Sequence, residues 1–282
     1  MKVVTAAQMR EIDRAAIEDF GIPATVLMNS AGKFTADFIR ENFQGQGVTI
    51  FCGTGNNGGD GFTAAYYLFN AGFDISVFLC GRCDRVTPVS GIYMNICRKS
   101  GIVIRELTDE ENVSYCTVKP GIIVDAIFGT GFSGEPGGVQ LAAIKKINSL
   151  SNKVLSIDIP SGLPSDGDIV QPEAVRADIT ITIGLPKISV STFPGKSFCG
   201  KVLIADIGFP RSLTNSDSLK VNEINDNLFI TSGLSIEHED MHKGNRGHVL
   251  LAGGFPGMEG AIILAAKALF RTGAGLGTVI TL

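Results

Sequence analysis

Apolar positions along this chain follow two rhythms. Met9, Ile12, Ala16 and Phe20 recur at helical spacing behind Thr5-Ala6-Ala7-Gln8, a capping-box pattern, and Gly21 supplies a stop. A helix therefore opens the chain. Pro23 stands where a second helix begins, and ATVLMNSAGKFTADFIRENF carries it to the Gly45 region. Beyond it come short apolar runs rich in β-branched residues, each closed by glycine or another turn former: VTIFCG, ISVFLCG, GIIVDAIFGTG, KVLSIDIPSG, DITITIG and KVLIADIG. Helix-forming segments lie between most of them, namely FTAAYYLFNAG, PVSGIYMNICRKSG behind a Thr87 cap, and VQLAAIKKINSL. Continuously apolar strands that alternate with helices predict an α/β fold with a mostly parallel sheet covered on both faces. The last two runs follow each other closely enough that part of the sheet could be antiparallel or mixed.

From Arg211 to about Met241 the composition turns polar, interrupted only by LFITSGL. This predicts a linker at 211–241, between a first domain at 1–210 and a second segment at 242–282. In that segment GHVLLAGG, EGAIILAAKALFRTG and TVITL read as strand, helix and strand. A lone βαβ unit cannot bury its apolar faces, so a second domain represented by its opening is expected. No internal repeat or low-complexity tract interrupts the pattern.

Composition narrows the function classes. The 282 residues are 44% hydrophobic and 18% charged, an ordinary globular balance with room for one large domain or two modest ones. Lys and Arg total 24 against 28 Asp and Glu, with no basic block, which argues against a nucleic-acid partner and for a small molecule. The N-terminus carries acids throughout and no apolar run reaches membrane-spanning length, so no membrane partner and a cytoplasmic location are expected. Six scattered cysteines fit reduced thiols better than a disulfide framework. Cys80-Gly81-Arg82-Cys83 is a CxxC without a second ligand pair, because His238, His242 and His248 all lie near the C-terminus. Chance spacing explains it better than a redox or zinc site.

Candidate chemistry gathers in three turns that follow apolar strands, where ligands collect in an open α/β sheet. The first is GTGNNGGDG, Gly53 to Gly61, whose opening fits GxGxxG. A dehydrogenase would need bare backbone N–H groups here and an acid closing the second strand. Instead Asn56, Asn57 and Asp60 crowd the turn, and the second strand ends in LCGRC before an acid appears at Asp84. The alternative is that Asp60 caps the following helix, with the asparagines in left-handed turn conformations. The second turn, Asp125 to Gly138, starts with an acid inside an apolar run and continues through glycines. A carboxylate there needs a partner or a cation, and GTGFSGE reads as a phosphate or ribose cradle or as a flexible surface loop. The third turn places Asp158 and Ser161 around Pro160. Asp158 is the candidate for proton transfer, on the expectation that partial burial raises its pKa, although a turn-forming Asp would look the same. Asn57, Asp125 and Ser161 supply one carboxylate and two neutral oxygens, a hard set of low charge suited to a monovalent ion or a carbonyl-rich site.

GTGNNGGDG, VDAIFGTGFSGEP and SIDIPSGLPSDG, with the leading helix TAAQMREIDRAAI, resemble the N-terminal epimerase domain of the bifunctional NAD(P)H-hydrate repair enzymes. The resemblance covers residues 1 to about 210 and implies a Rossmann-like three-layer sandwich that interconverts the R and S epimers of hydrated NADH or NADPH. It implies hydrate binding by Asn56, Asn57, Gly58, Gly59 and Asp60, by Gly129, Thr130, Gly131, Phe132, Ser133, Gly134 and Glu135, and by Asp158. It also implies a potassium ion held by Asn57, Asp125 and Ser161, and a homodimer. The tail from His242 resembles the start of an ADP- or ATP-dependent hydrate dehydratase of ribokinase-like fold, with that domain's later motifs absent from these residues, so no dehydratase (lyase) activity is expected. The competing readings are an NAD-dependent oxidoreductase, which GTGNNG favours, and a non-catalytic nucleotide-binding scaffold.

Overall fold

The computed structural model describes residues 1–167, 173–224 and 241–281. These divide into two compact units, Met1–Glu223 and Ile224–Leu282.

The first unit opens with α1, Ala6–Glu18, and its capping box is formed: Gln8 N–H donates to Thr5 Oγ1 at 3.1 Å and Thr5 N–H to Gln8 Oε1 at 3.0 Å. Met9, Ile12 and Ala16 are buried as the spacing predicts. Phe20 is not, because the helix ends before it and Gly21, at φ 72°, turns the chain away. Helix α2, Ala24–Asn42, follows Pro23 directly.

Seven strands build the sheet: β1 (Gly47–Cys52), β2 (Ile75–Cys80), β3 (Ile104–Leu107), β4 (Gly121–Ala126), β5 (Lys153–Ile157), β6 (Ile179–Ile183) and β7 (Lys201–Ala205). Their order is β3-β2-β1-β4-β5-β6-β7, and every pairing is parallel. The mixed or antiparallel edge allowed by the sequence does not occur. A parallel return needs a crossover of a dozen or more residues, and the connection 184–200 between β6 and β7 is long enough to make one. Strand β3 escapes an apolar-run reading because it is an edge strand with Arg105 and Glu106 exposed.

Side chains alternate across the sheet and divide the core in two. Val48, Ile50, Val77, Leu79, Ile122 and Val124 face α2, α3 (Asn56–Asn70) and α4 (Pro88–Lys99). Phe51, Phe78 and Ile123 face the opposite layer, built by α5 (Glu110–Tyr115) and α6 (Gly138–Ser149), with Phe51 stacked on Phe78 at 5.3 Å. Both faces are buried, which explains why these strands read as continuous apolar runs.

Two short helices, α7 (Ile188–Ser191) and α8 (Arg211–Thr214), complete the unit. Polar composition suggested a linker from Arg211, yet residues to Glu223 belong to this unit. Leu219 is buried with Val4, Met9, Ile12 and Leu185, and Lys2 bridges Asn222 in antiparallel fashion. The remainder of that stretch, 225–240, lies outside the described residues, as does His238.

The second unit, taken by itself, is a βαβ arrangement: β8 (His248–Ala252) pairs in parallel with β9 (Leu276–Ile280), joined through α9 (Gly260–Arg271). Leu250, Ile263, Leu264, Phe270 and Ile280 are exposed on it. All six cysteines are free thiols, four of them buried.

Candidate active site at the carboxyl ends of β1, β4 and β5

Strand order reverses between β1 and β4, and the turns leaving β1, β4 and β5 open at that point. They line a cavity of about 600 Å³. Of the positions expected at the site, Asn56, Asn57, Asp60, Gly129, Thr130, Gly131, Phe132 and Asp158 reach the cavity wall.

The first turn is packed more tightly than a phosphate loop requires. A Cβ on Gly53 would run into the carbonyl of Ile127, and one on Gly58 into the carbonyl of Gly53. These glycines let the start of α3 press against the sheet. Gly58 and Gly59 are therefore buried in the helix and do not line the cavity, with Gly59 held against Met28 and Ser90. Gly55 is the N-cap of α3, so Asn56 and Asn57 are its first helical residues and neither takes a left-handed conformation. Asp60 is no cap either. It lies one turn into the helix, 7% exposed, and no described side chain donates a hydrogen bond to it. Thr87 occupies the N-cap of α4 but spends its hydroxyl on Asn56 Oδ1 at 2.9 Å and Ser90 Oγ at 2.9 Å.

All three turns meet at Gly129. A side chain there would stand 2.9 Å from Asp158 Oδ2 and 3.2 Å from Asn57 Cγ, so only glycine lets the second turn pass between the other two. Phe128 stacks on Phe132 with centroids 3.9 Å apart, which gives the cavity an aromatic wall. Ser133, Gly134 and Glu135 are exposed beyond this wall and do not line the cavity.

Behind the cavity, Asp125 is fully buried. Parallel register sets it beside Ser156, whose hydroxyl donates to Oδ2 at 2.8 Å. Ser161 adds its backbone N–H to Oδ2 at 2.9 Å and its hydroxyl to Oδ1 at 2.5 Å, and Ile127 N–H reaches Oδ1 at 3.3 Å. Burial raises the pKa of Asp125 more than these four hydrogen bonds lower it. Asn57 joins the network by donating from Nδ2 to the carbonyl of Phe128 at 2.8 Å, while Phe128 N–H donates to Ser161 Oγ at 2.8 Å. Asn57 Oδ1 is left buried with no donor.

Asp158 is where structure departs most from expectation. Lys187, itself fully buried, donates from Nζ to Asp158 Oδ1 at 2.5 Å, to Ile183 O at 2.7 Å and to Thr182 Oγ1 at 3.2 Å. Thr130 donates to Asp158 Oδ2 through its N–H at 2.7 Å and again through its hydroxyl. Burial pushes the Asp158 carboxyl up, but the charge of Lys187 and the hydrogen bonds from Lys187 and Thr130 outweigh it and hold the pKa below the usual range. Asp158 is thus a paired carboxylate, and the rise in pKa expected from burial is reversed by its partners. Asp60 is shifted the other way: burial lifts it well above the ordinary value, Asp158 and Asp13 add to the rise, and Lys187 opposes it.

Lys187, Asp13 and Phe128 line the cavity without having been singled out from the sequence. Two of them carry a signal that could have found them. Lys187 stands in the apolar context Leu185-Pro186-Lys187-Ile188 just after a strand, and Asp13 interrupts the apolar stripe of α1 between Ile12 and Ala16. Among the described residues no group of three or more His, Cys, Asp or Glu could hold a metal ion.

Among known proteins, the family match lies within the first unit, while the bifunctional relatives match over both units. A sequence model of the family described as YjeF-related protein N-terminus matches residues 24–189. A bifunctional NAD(P)H-hydrate repair enzyme Nnr of Moorella thermoacetica is 37% identical over 99% of this chain and 54% of its own length. The chain thus spans about half the length of the bifunctional relatives it matches. An NAD(P)H-hydrate epimerase of Levilactobacillus brevis is 35% identical over 73% of this chain and 94% of its own. The crystal structure of the yeast protein ynu0, YNL200c, superposes with a TM-score of 0.65 at 25% identity, covering 80% of this chain and 98% of the yeast one.

Proposed function

We propose that this chain, which belongs to the YjeF-related protein N-terminus family, acts as an NAD(P)H-hydrate epimerase through its first unit, interconverting the R and S forms of hydrated NADH and NADPH. The observation that carries this reading is the convergence of Asn57, Gly129 and Asp158 on one cavity that also holds an unpaired, buried acid, Asp60. The hydrate bears a hydroxyl at C6, beside a ring nitrogen. Asp60, neutral when buried, donates its proton to that hydroxyl; the C6–O bond breaks, its electron pair leaves on water, and the nitrogen lone pair closes a C=N bond. Water then adds to C6 from the other face and surrenders a proton to a carboxylate, with no net redox. Asp158, fixed by Lys187 and Thr130, supplies negative charge beside the cationic ring and anchors the loop at Gly129. Phe128 and Phe132 offer an apolar wall to a flat ring.

A potassium ion suits the oxygen set behind the cavity. Asn57 Oδ1 is a buried acceptor lacking a donor, and the Phe128 carbonyl and Ser161 hydroxyl stand in the same network. Asp125 already accepts four hydrogen bonds, so it would serve such an ion chiefly as buried charge. The ion would brace the turns; no proton transfer depends on it. We further expect a homodimer, checked by light scattering, and a cytoplasmic setting, to which the free thiols are suited.

The oxidoreductase alternative loses ground at β2, because Asp84, the acid nearest its end, is an exposed partner of Arg82. The test of the epimerase reading is proton NMR of purified R-hydrate incubated with the protein in potassium and then sodium buffer. The S epimer should form well above its spontaneous rate, faster with potassium. Absence of acceleration in both buffers, from a folded protein, would sink the assignment.

A further inference from the structure

We propose that Asp13 is a second catalytic acid–base residue of this site, working with Asp60 at the two ends of the path the hydroxyl takes between faces of the ring. The inference rests on the epimerase reading. Its chemical ground is that a hydroxyl leaving one face as water needs a proton donor there, while water returning to the other face needs an acceptor. One carboxyl fixed in a wall reaches one of these places.

Asp13 enters the cavity from α1, and Asp60 from α3, so the two carboxyls arrive on different elements. The placement of α1 is fixed by the segment that carries Lys187. Val4 N–H donates to Pro186 O at 2.9 Å, Ile188 N–H donates to Val4 O at 3.2 Å, and Ala6 N–H donates to Asp166 Oδ1 at 2.5 Å. Three titratable groups from neighbouring elements interact with Asp13: Asp60 from α3, Asp158 from the end of β5 and Lys187 after β6; Arg10, on its own helix, also lines the cavity. The acids elsewhere on α1 turn outward, Glu11 and Glu18 pairing with Arg14.

Within the cavity three carboxyls share one buried ammonium. Lys187 is committed to Asp158, Thr182 and Ile183, and among the described residues no side chain donates to Asp13 or to Asp60. Two carboxyls without donors, facing a third that is ionised, hold a proton between them near neutral pH. The arrangement divides their tasks. Asp60, the more deeply buried, is raised well above the ordinary range and keeps its proton. Asp13 is raised to about 6 by burial, with Lys187 opposing and Asp158 reinforcing, so it is the one free to accept at neutral pH.

In the forward step Asp60 gives its proton to the departing hydroxyl and becomes a carboxylate, while Asp13 takes a proton from the incoming water and becomes neutral. The C6–O bond broken on one face is re-formed on the other. The reverse reaction uses the same pair with roles exchanged, and transfer of one proton from Asp13 back to Asp60 restores the starting state.

The experiment is epimerisation of the purified R-hydrate, followed by proton NMR above its spontaneous rate, from about pH 5 to about pH 9 for the wild-type chain, Asp13→Asn and Asp13→Glu. Wild-type kcat/KM should rise through about pH 6 and fall again at higher pH, as a pair sharing one proton requires. Asp13→Asn should lose about 10²-fold in kcat with KM little changed, and lose the rising limb, while Asp13→Glu recovers part of both. An active wild type alongside an Asp13→Asn variant of full kcat and unaltered pH profile would overturn this inference alone. A folded wild type with no activity at any pH would overturn the epimerase reading and this inference together.

Discussion

Asp158 stands at φ 70°, a left-handed angle that ordinary side chains avoid, at the centre of a tight turn closed by Ile159 N–H on Ile157 O at 3.0 Å. The strain persists because Lys187 and Thr130 hold the carboxylate on both oxygens. Asn tolerates this backbone well, so Asp158→Asn tests the charge rather than the turn. It strands a buried ammonium and should cost about 3–5 kcal/mol in urea unfolding; adding Lys187→Met should recover much of the loss. The pH signs at the two acids are opposite. Asp158 has its folded pKa below the unfolded one, so its contribution is present above the unfolded value and is lost as pH falls through the folded value. Asp13 has its folded pKa raised to about 6, so the folded state binds the proton more tightly, and that contribution disappears as pH rises through 6. Asp13→Asn should therefore raise the Tm at about pH 8 by roughly a few degrees and change it less at pH 5. An unchanged Tm at both pH values would mean that ionised Asp13 is not a strain on the fold.

Among the elements, the β1–α3 junction is the most exacting. Its glycines place α3 against the sheet and so aim Asn57 and Asp60 into the cavity. Gly58→Ala has a backbone carbonyl in its way and should cost about 1–3 kcal/mol in urea unfolding. Gly55→Ala makes the contrast: nothing stands within 4 Å of its Cβ and its φ is −83°, so the cost should stay within about 0.5 kcal/mol. Comparable losses from both would show that glycine is needed here for conformation rather than for close approach. Such glycines were legible as a motif, but their purpose was not. A GxGxxG string is the same whether its bare backbone meets a pyrophosphate or a neighbouring carbonyl.

Across the whole molecule, the first unit carries its own core on both sheet faces and the entire candidate site. Residues 1–224 alone should fold cooperatively and retain epimerase activity, as the extent of the Levilactobacillus brevis relative also suggests. Loss of activity despite a native circular dichroism spectrum would refute this. The second unit buries little apolar surface, since α9 has no buried residue. Its β8 and β9 amides should exchange with deuterium orders of magnitude faster than those of β1 and β4.

What the sequence determined by itself was local in origin. Periodicity placed α1, α2 and the apolar strands, the capping box fixed where α1 begins, and turn residues marked the three strand ends that converge. These depend on neighbours a few positions apart, so they can be read along the chain. Tertiary structure alone decided the direction of β6 and β7, the packing of Leu219 inside a polar stretch, and the ionisation of the site. Asp13, Asp60, Asp158 and Lys187 are far apart in the chain, and which acid keeps its proton follows from their distances in space and the water excluded around them. Asp158, the acid most visible in its motif, became the anion because its partner lay in an unremarked stretch beyond the next strand.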